Sequence, residues 1–149
     1  MIKIKVASPL TDEIIQKYGA DILRLWAASV DYRNDIKIGN NIIGQLTEIF
    51  KKTRNTARFL LGNLFDFDPA KDYVEYKDLK NLDKFALHKL NQLVEQVTVA
   101  FNDYEFYKYF QCLQNFAAVD LSSFYLDIVK DRLYTAGKKS LSRIACQTV

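Results

Sequence analysis

One face of a predicted helix carries a concentrated set of basic and amide side chains. They fall within a single arc when the helix turns by about 100° per residue. The set comprises Lys51, Arg54, Asn55 and Arg58. Gly44 and Gly62 fall on the same arc, and glycine lets another backbone approach closely. Because guanidinium groups bind phosphates and base edges through paired hydrogen bonds, the arc predicts a surface for an RNA strand.

The same arc also has two purely structural interpretations. A solvated basic face is common on the helices of soluble proteins. In the second interpretation, Asp127 and Asp131 stand four residues apart on a later helix, where they repel each other unless cations neutralise them. Arg54 or Arg58 would then pair with these acids across the fold, and RNA would meet the remaining lysines.

Two nearby carboxylates such as Asp127 and Asp131 can also form an acid/base pair of the kind that hydrolyses glycosides. No nucleophile, cluster of metal ligands or phosphate-binding glycine loop accompanies them. Lys130 and Arg132 lie in the same segment as ready ion-pair partners. We therefore expect ion pairing there, and neither a catalytic residue nor a metal site in this sequence.

The run from 104 to 110 interleaves aromatic side chains with one lysine, and exposed aromatics stack on unpaired bases. Helical spacing assigns Phe106 and Phe110 to the core, which leaves Tyr107 and Lys108 as further surface candidates. His88, the only histidine, is expected at the surface or its boundary.

Composition points to a helical protein of about one domain. The 149 residues include 49% hydrophobic and 26% charged residues, enough for a core and a soluble surface. Five glycines and two prolines are fewer than sandwiches or barrels need for their turns. The net charge of +3 does not by itself indicate nucleic acid. We expect an all-α fold.

The remaining composition favours a reducing, aqueous compartment. Cys112 and Cys146 form no CxxC motif, which fits reduced thiols and gives no zinc site. No apolar run approaches the roughly 20 residues of a membrane span, and the first ten residues lack the apolar core of a signal peptide. A cytoplasmic protein without membrane association is expected.

Apolar periodicity predicts a series of helices joined by short links, which is typical of an antiparallel bundle. Their approximate bounds are 11–18, 21–28, 40–64, 82–102, 105–119, 121–134 and 138–149. The longest has an apolar stripe formed by Ile42, Ile43, Leu46, Ile49, Phe50, Thr53, Ala57, Leu60, Leu61 and Leu64. Breaks are predicted near Asp120 and Gly137, and residues 2–6 alternate as a short strand would.

Several stretches resemble isoleucyl-tRNA synthetases, which are class I aminoacyl-tRNA synthetases. In chain order they are YGADILRLWAAS at 18–29 with DYR at 31–33, RNTARFLL at 54–61, DLSSFYLDIVKDRLYT at 120–135 and CQT at 146–148. The first is shared by synthetases for other branched aliphatic amino acids. The stretch at 120–135 favours the isoleucine member.

The resemblance implies a domain division and a set of partners. Residues 1–35 would be the tail of the catalytic domain or a connecting segment. Residues 36–149 would be an antiparallel bundle of the class I anticodon-binding type, truncated at its C-terminus. The implied partners are isoleucine tRNA and the remainder of the synthetase chain, with the segment itself monomeric.

The resemblance also separates this chain from the chemistry of the parent enzyme. The HIGH motif, the KMSKS loop and the editing domain are not in this sequence, so the chain alone is expected to be inactive and to hold no cofactor. The parent enzyme would use ATP and Mg²⁺ to attach isoleucine to tRNA.

At the level of residues, the resemblance implies that the arc on the long helix contacts the anticodon stem and loop, because related synthetases use the corresponding helix there. Lys130 and Arg132 lie in a matching stretch, either as tRNA contacts or as internal ion-pair partners. The competing hypothesis is a helical protein-interaction domain with no RNA role, in which Arg54 and Arg58 hold the bundle together.

Overall fold

The computed structural model describes residues 8–36 and 38–149, so the strand suggested for residues 2–6 lies outside it. Every regular element within the described ranges is helical, which confirms the all-α prediction. In chain order the elements are α1 (Ser8–Tyr18), α2 (Ala20–Ser29), α3 (Asn40–Asn63), a 3-10 helix (Tyr76–Asp78), α4 (Asn81–Asn102), α5 (Phe106–Asn115), a π-helix (Phe116–Tyr125), α6 (Leu126–Thr135) and α7 (Leu141–Thr148).

The first three helices pack around a small apolar core. Ile14, Ile22 and Ile43 supply one buried side chain from each helix. The chain passes from α1 to α2 at Gly19, whose φ of 88° is a conformation that side-chain-bearing residues rarely adopt. The glycine therefore ends α1 and lets α2 fold back on it.

A second core lies where α6 and the π-helix face α3 and α4. Its buried members are Tyr125, Leu126, Val129 and Leu133. Phe59 of α3 and Ala86 of α4 pack against them. This core fixes the position of α3 relative to the later helices, so it also sets the relation between the candidate site residues.

The segment from Phe106 to Thr135 runs as one uninterrupted helical rod, so the predicted break near Asp120 is wrong. No glycine or proline occurs in it. Asp120 does not cap a new helix, but forms an ion pair with Lys89 of α4 at 3.8 Å. Instead of breaking, the rod widens into π geometry, where each backbone hydrogen bond spans five residues.

The apolar stripe predicted for α3 is correct in its first half and wrong in its second. Ile43 and Leu46 are buried, whereas Leu61 is 70% exposed and Ala57 also faces outward. The inner side of the second half is formed by Phe59 and by polar contacts to α7. Because two of the half-buried residues on that side, Thr56 and Asn63, are polar, apolar periodicity could not reveal which side faced inward.

Candidate nucleic-acid interface

The four residues predicted on the arc of α3 share one exposed surface, which we call the α3 basic face. It consists of Lys51, Arg54, Asn55 and Arg58. Lys51 forms an ion pair with Glu48 at 2.8 Å, with both side chains at least 60% exposed. Pairs at such exposure contribute little to stability and exchange readily with other anions.

The alternative interpretation, in which Arg54 or Arg58 pairs with Asp127 and Asp131, is not what the described residues show. Within residues 8–36 and 38–149, neither arginine takes part in an ion pair or a side-chain hydrogen bond. Asp127 is neutralised locally instead, by Lys130 three residues later at 2.7 Å. A partner one turn away on the same helix is already positioned, so no cross-bundle arginine is required.

Arg132 was predicted as an RNA contact or an ion-pair partner, and its guanidinium is engaged inside the bundle. Nη1 and Nη2 each donate to a carboxylate oxygen of Asp83 at 2.8 Å. The Tyr125 hydroxyl donates to the same carboxylate at 3.0 Å. Asp83 has no exposed surface and Arg132 has 15% of its side chain exposed. Arg132 therefore belongs to a buried polar network rather than to the outer surface.

The electrostatics of this network follow from burial and charge. The hydrogen bond to Asp83 raises the pKa of Arg132, which stays charged. Burial, followed by the adjacent Asp83 carboxylate, raises the pKa of Tyr125 far above its ordinary value, so its hydroxyl stays a donor. Sequence reasoning missed Asp83, since a carboxylate near a helix start usually marks a solvated first turn.

A second polar network joins the end of α3 to α7. Arg143 donates through Nη2 to Asp66 at 2.9 Å, and Gln147 donates to Asp66 at 2.9 Å and to the Asn63 carbonyl at 2.7 Å. Burial opposes ionisation of Asp66, but the Gln147 hydrogen bond and the Arg143 charge prevail and lower its pKa. These contacts hold α3 in register with the end of the chain described here.

A groove of about 520 Å³ adjoins the α3 basic face. It lies between α3, the end of α5, the π-helix and α6. Two of the predicted site residues, Asn55 and Lys130, both line it although they are 75 positions apart in the sequence. The other lining residues are Ile49, Lys52, Thr53, Thr56, Phe59, Gln114, Ala117, Ala118, Ser122, Ser123 and Leu126.

The two aromatic-run candidates are engaged in contacts of their own. The Tyr107 hydroxyl accepts a hydrogen bond from Arg33 at 3.0 Å, and Lys108 forms an ion pair with Glu105. Arg33 also pairs with Glu105 at 3.3 Å. This cluster links the segment after α2 to the start of α5, so these side chains make contacts within the fold.

In the part of the chain that the structure describes, no group of three histidine, cysteine or carboxylate side chains is placed to hold a metal ion. Burial raises the pKa of Cys146 to about 11, and both cysteines are free thiols. None of the described helices is long and apolar enough to cross a membrane.

Residues 83–149 match the family described as the anticodon-binding domain of tRNA ligase. An isoleucine–tRNA ligase of Crocosphaera subtropica is 57% identical over 132 residues, which is 89% of this chain and 14% of that protein. Those of Caldanaerobacter subterraneus and Petrotoga mobilis are each 56% identical, over 91% and 92% of this chain and 15% of their own length. This chain thus spans about one seventh of these relatives, and it belongs to the isoleucine–tRNA ligase family as a segment containing the anticodon-binding domain.

Proposed function

We propose that this chain binds isoleucine tRNA on its anticodon side and positions it for the remainder of a synthetase. The parent protein would attach isoleucine to tRNA using ATP and Mg²⁺ in the cytoplasm. This chain would contribute binding, not catalysis, and would act as a monomeric unit joined to the rest of the enzyme. Residues 36–149 would form the tRNA-binding bundle, and residues 1–35 the connection from the catalytic domain.

The observation that carries the proposal is that Arg54 and Arg58 are exposed on one side of α3 and lack an internal anionic partner among the described residues. Two such guanidinium groups, one helical turn apart, can each bind a phosphate along the same RNA strand. The protein-interaction alternative relied on these arginines as internal ion-pair partners, so it has lost its main support.

We divide the predicted contacts into two groups. Lys51, Arg54, Asn55 and Arg58 would contact RNA directly, and Lys130 would join them across the groove because its pair with Asp127 is largely exposed. Arg132 would act indirectly, by holding α6 against α4 through Asp83. Its removal would therefore disturb folding rather than a surface contact.

The test is binding of isoleucine tRNA to the purified chain across a salt series, with valine tRNA as competitor. Arg58→Ala should weaken binding at low salt and reduce the slope of log affinity against log salt by roughly one, as expected for one lost phosphate contact. Its unfolding free energy should change by less than about 0.5 kcal/mol, since it has no internal partner. Arg24→Ala is the matched control, because Arg24 is an exposed arginine on α2.

Two results would contradict the proposal. If wild-type chain fails to bind isoleucine tRNA at low salt, this surface is not a tRNA-binding site. If Arg58→Ala destabilises the fold while its salt slope stays at the wild-type value, the arginine is structural and the protein-interaction alternative regains support.

A further inference from the structure

The groove beside the α3 basic face differs in chemistry from an ordinary gap between helices. Its walls come from four separate elements, and its volume of about 520 Å³ lies within the range of small-molecule pockets. It opens next to Arg54 and Arg58 because Asn55, which lines it, lies between them on α3. A strand that follows the basic face would therefore pass its mouth.

The floor and the rim of the groove have distinct characters. Phe59, Ala117 and Leu126 supply apolar surface at or near the buried core. Lys52 and Lys130 place one cation on each wall, the first from α3 and the second from α6. An apolar surface beneath paired cations suits a flat, hydrophobic group attached to an anion.

Two side-chain amides are available within this groove. Asn55 and Gln114 both line it, and neither forms a side-chain hydrogen bond within the described ranges. Three of the four hydroxyls that line the groove already donate to backbone carbonyls, namely Thr53 to Ile49 at 3.0 Å, Thr56 to Lys52 at 3.1 Å and Ser123 to Ala118 at 2.8 Å. The two amides, together with the Ser122 hydroxyl, are thus the uncharged groups left to donate to and accept from a ligand.

The depth of the groove depends on the π-helix. This element contributes only small side chains to the wall, namely Ala117, Ala118, Ser122 and Ser123. A wide helical turn with small residues leaves room beside α3 that larger side chains would fill. Runs of π geometry are rare and frequently occur at functional sites.

We propose that this groove binds one unpaired base of an RNA loop, with Asn55 and Gln114 hydrogen-bonding its edge and Lys52 and Lys130 flanking its phosphate. Unpaired bases are recognised by such a combination of apolar stacking and hydrogen bonds to their edges. The inference rests on the proposed tRNA-binding function and assigns the groove as the place where one loop base is read.

The test uses the anticodon stem-loop of isoleucine tRNA and a series of variants in which each loop position in turn is abasic. Gln114→Ala should weaken binding about tenfold, the effect of losing hydrogen bonds worth about 1.4 kcal/mol. At one loop position, the abasic RNA should bind equally weakly to wild type and to Gln114→Ala, because the two changes remove the same contact. Gln45→Ala is the matched control, as an exposed amide on α3 outside the groove.

A second variant tests the cavity itself. Ala118→Trp fills the groove from an exposed position without altering any charge, and should abolish the difference between the intact loop and that abasic RNA. Circular dichroism must report wild-type helix content, so that lost folding is not read as lost binding.

The outcomes separate this inference from the proposed function. If Arg58→Ala weakens binding but Gln114→Ala and Ala118→Trp do not, the chain binds tRNA through its basic face and the groove is not a base site. If wild type does not bind the stem-loop or the tRNA, both proposals fail. Equal loss from Gln114→Ala at every abasic position would indicate a general surface contact and overturn the assignment.

Discussion

Replacing Arg132 by alanine should destabilise the bundle far more than any other single arginine-to-alanine change on α3 or α6. The reason is the Asp83 carboxylate, which has no exposed surface and receives two of its three hydrogen bonds from this guanidinium. After truncation the carboxylate keeps only the Tyr125 hydroxyl. A buried charge that loses its counterion must be neutralised or resolvated, and either outcome costs free energy.

The expected magnitude follows from these contacts. Breaking a buried ion pair by removing one partner costs about 3–5 kcal/mol. The estimate agrees with two charge-assisted hydrogen bonds of about 1.5–3 kcal/mol each. Loss of the Arg132 contacts to the Ser142 carbonyl and hydroxyl adds to the effect, because they tie α6 to the start of α7. Since domains are stable by only about 5–15 kcal/mol, the variant should approach its unfolding threshold.

Urea denaturation followed by circular dichroism measures this difference. The neighbouring Lys130→Ala is the control, because it removes an exposed ion pair and should cost less than about 1 kcal/mol. A double variant, Asp83→Leu with Arg132→Met, should recover part of the stability by removing both charges together. Equal free energies of unfolding for Arg132→Ala and Lys130→Ala would refute the assignment of a buried, stabilising pair.

Two further predictions concern titration. The native pKa of Asp66 is lowered from its ordinary 3.8, so its contribution to stability is present above that pH and is lost as the pH falls towards the native pKa. Asp66→Asn should therefore make the free energy of unfolding depend less steeply on pH below about pH 4. Asp35→Asn, at an exposed site, is the control. The pKa of about 11 keeps the Cys146 thiol protonated at pH 8, so in a Cys112→Ser background iodoacetamide should label it slowly until the chain unfolds. Rapid labelling of the folded chain at pH 8 would contradict the second prediction.

The sequence patterns predicted the bounds of the helices better than they predicted which side of each helix is buried. The long helix was expected at 40–64 and is observed at Asn40–Asn63, because glycine, polar and apolar patterns agree there. The second half of that helix was oriented wrongly, since two of its half-buried residues, Thr56 and Asn63, are polar, and the Asn63 carbonyl is bound by Gln147, 84 positions later. Only tertiary structure brings such polar partners together.

The candidate site was also predictable only in part. The exposure of Arg54 and Arg58 was predictable, because residues on one arc of a single helix share a surface. The groove was not predictable, since Gln114 and Lys52 line the same cavity only when α5 and the π-helix pack against α3. The ion pair of Arg132 matches one of its two interpretations, but its partner was not predictable, because Asp83 lies 49 residues earlier, where sequence alone gives no indication of a buried carboxylate.

Because Phe106 to Thr135 form one unbroken helical rod, the number of residues in this segment matters as much as their identity. Each residue of an α-helix adds a rotation of about 100° and a rise of 1.5 Å. Deleting one residue from the π segment would therefore turn α6 by roughly a quarter of a circle relative to α5. Arg132 would leave Asp83, and Lys130 would leave the groove. Insertions can be accommodated in the exposed stretches at 69–71 and 137–139, whereas deletion of a single residue within this helical segment would break the buried pair and separate the residues of the proposed binding site.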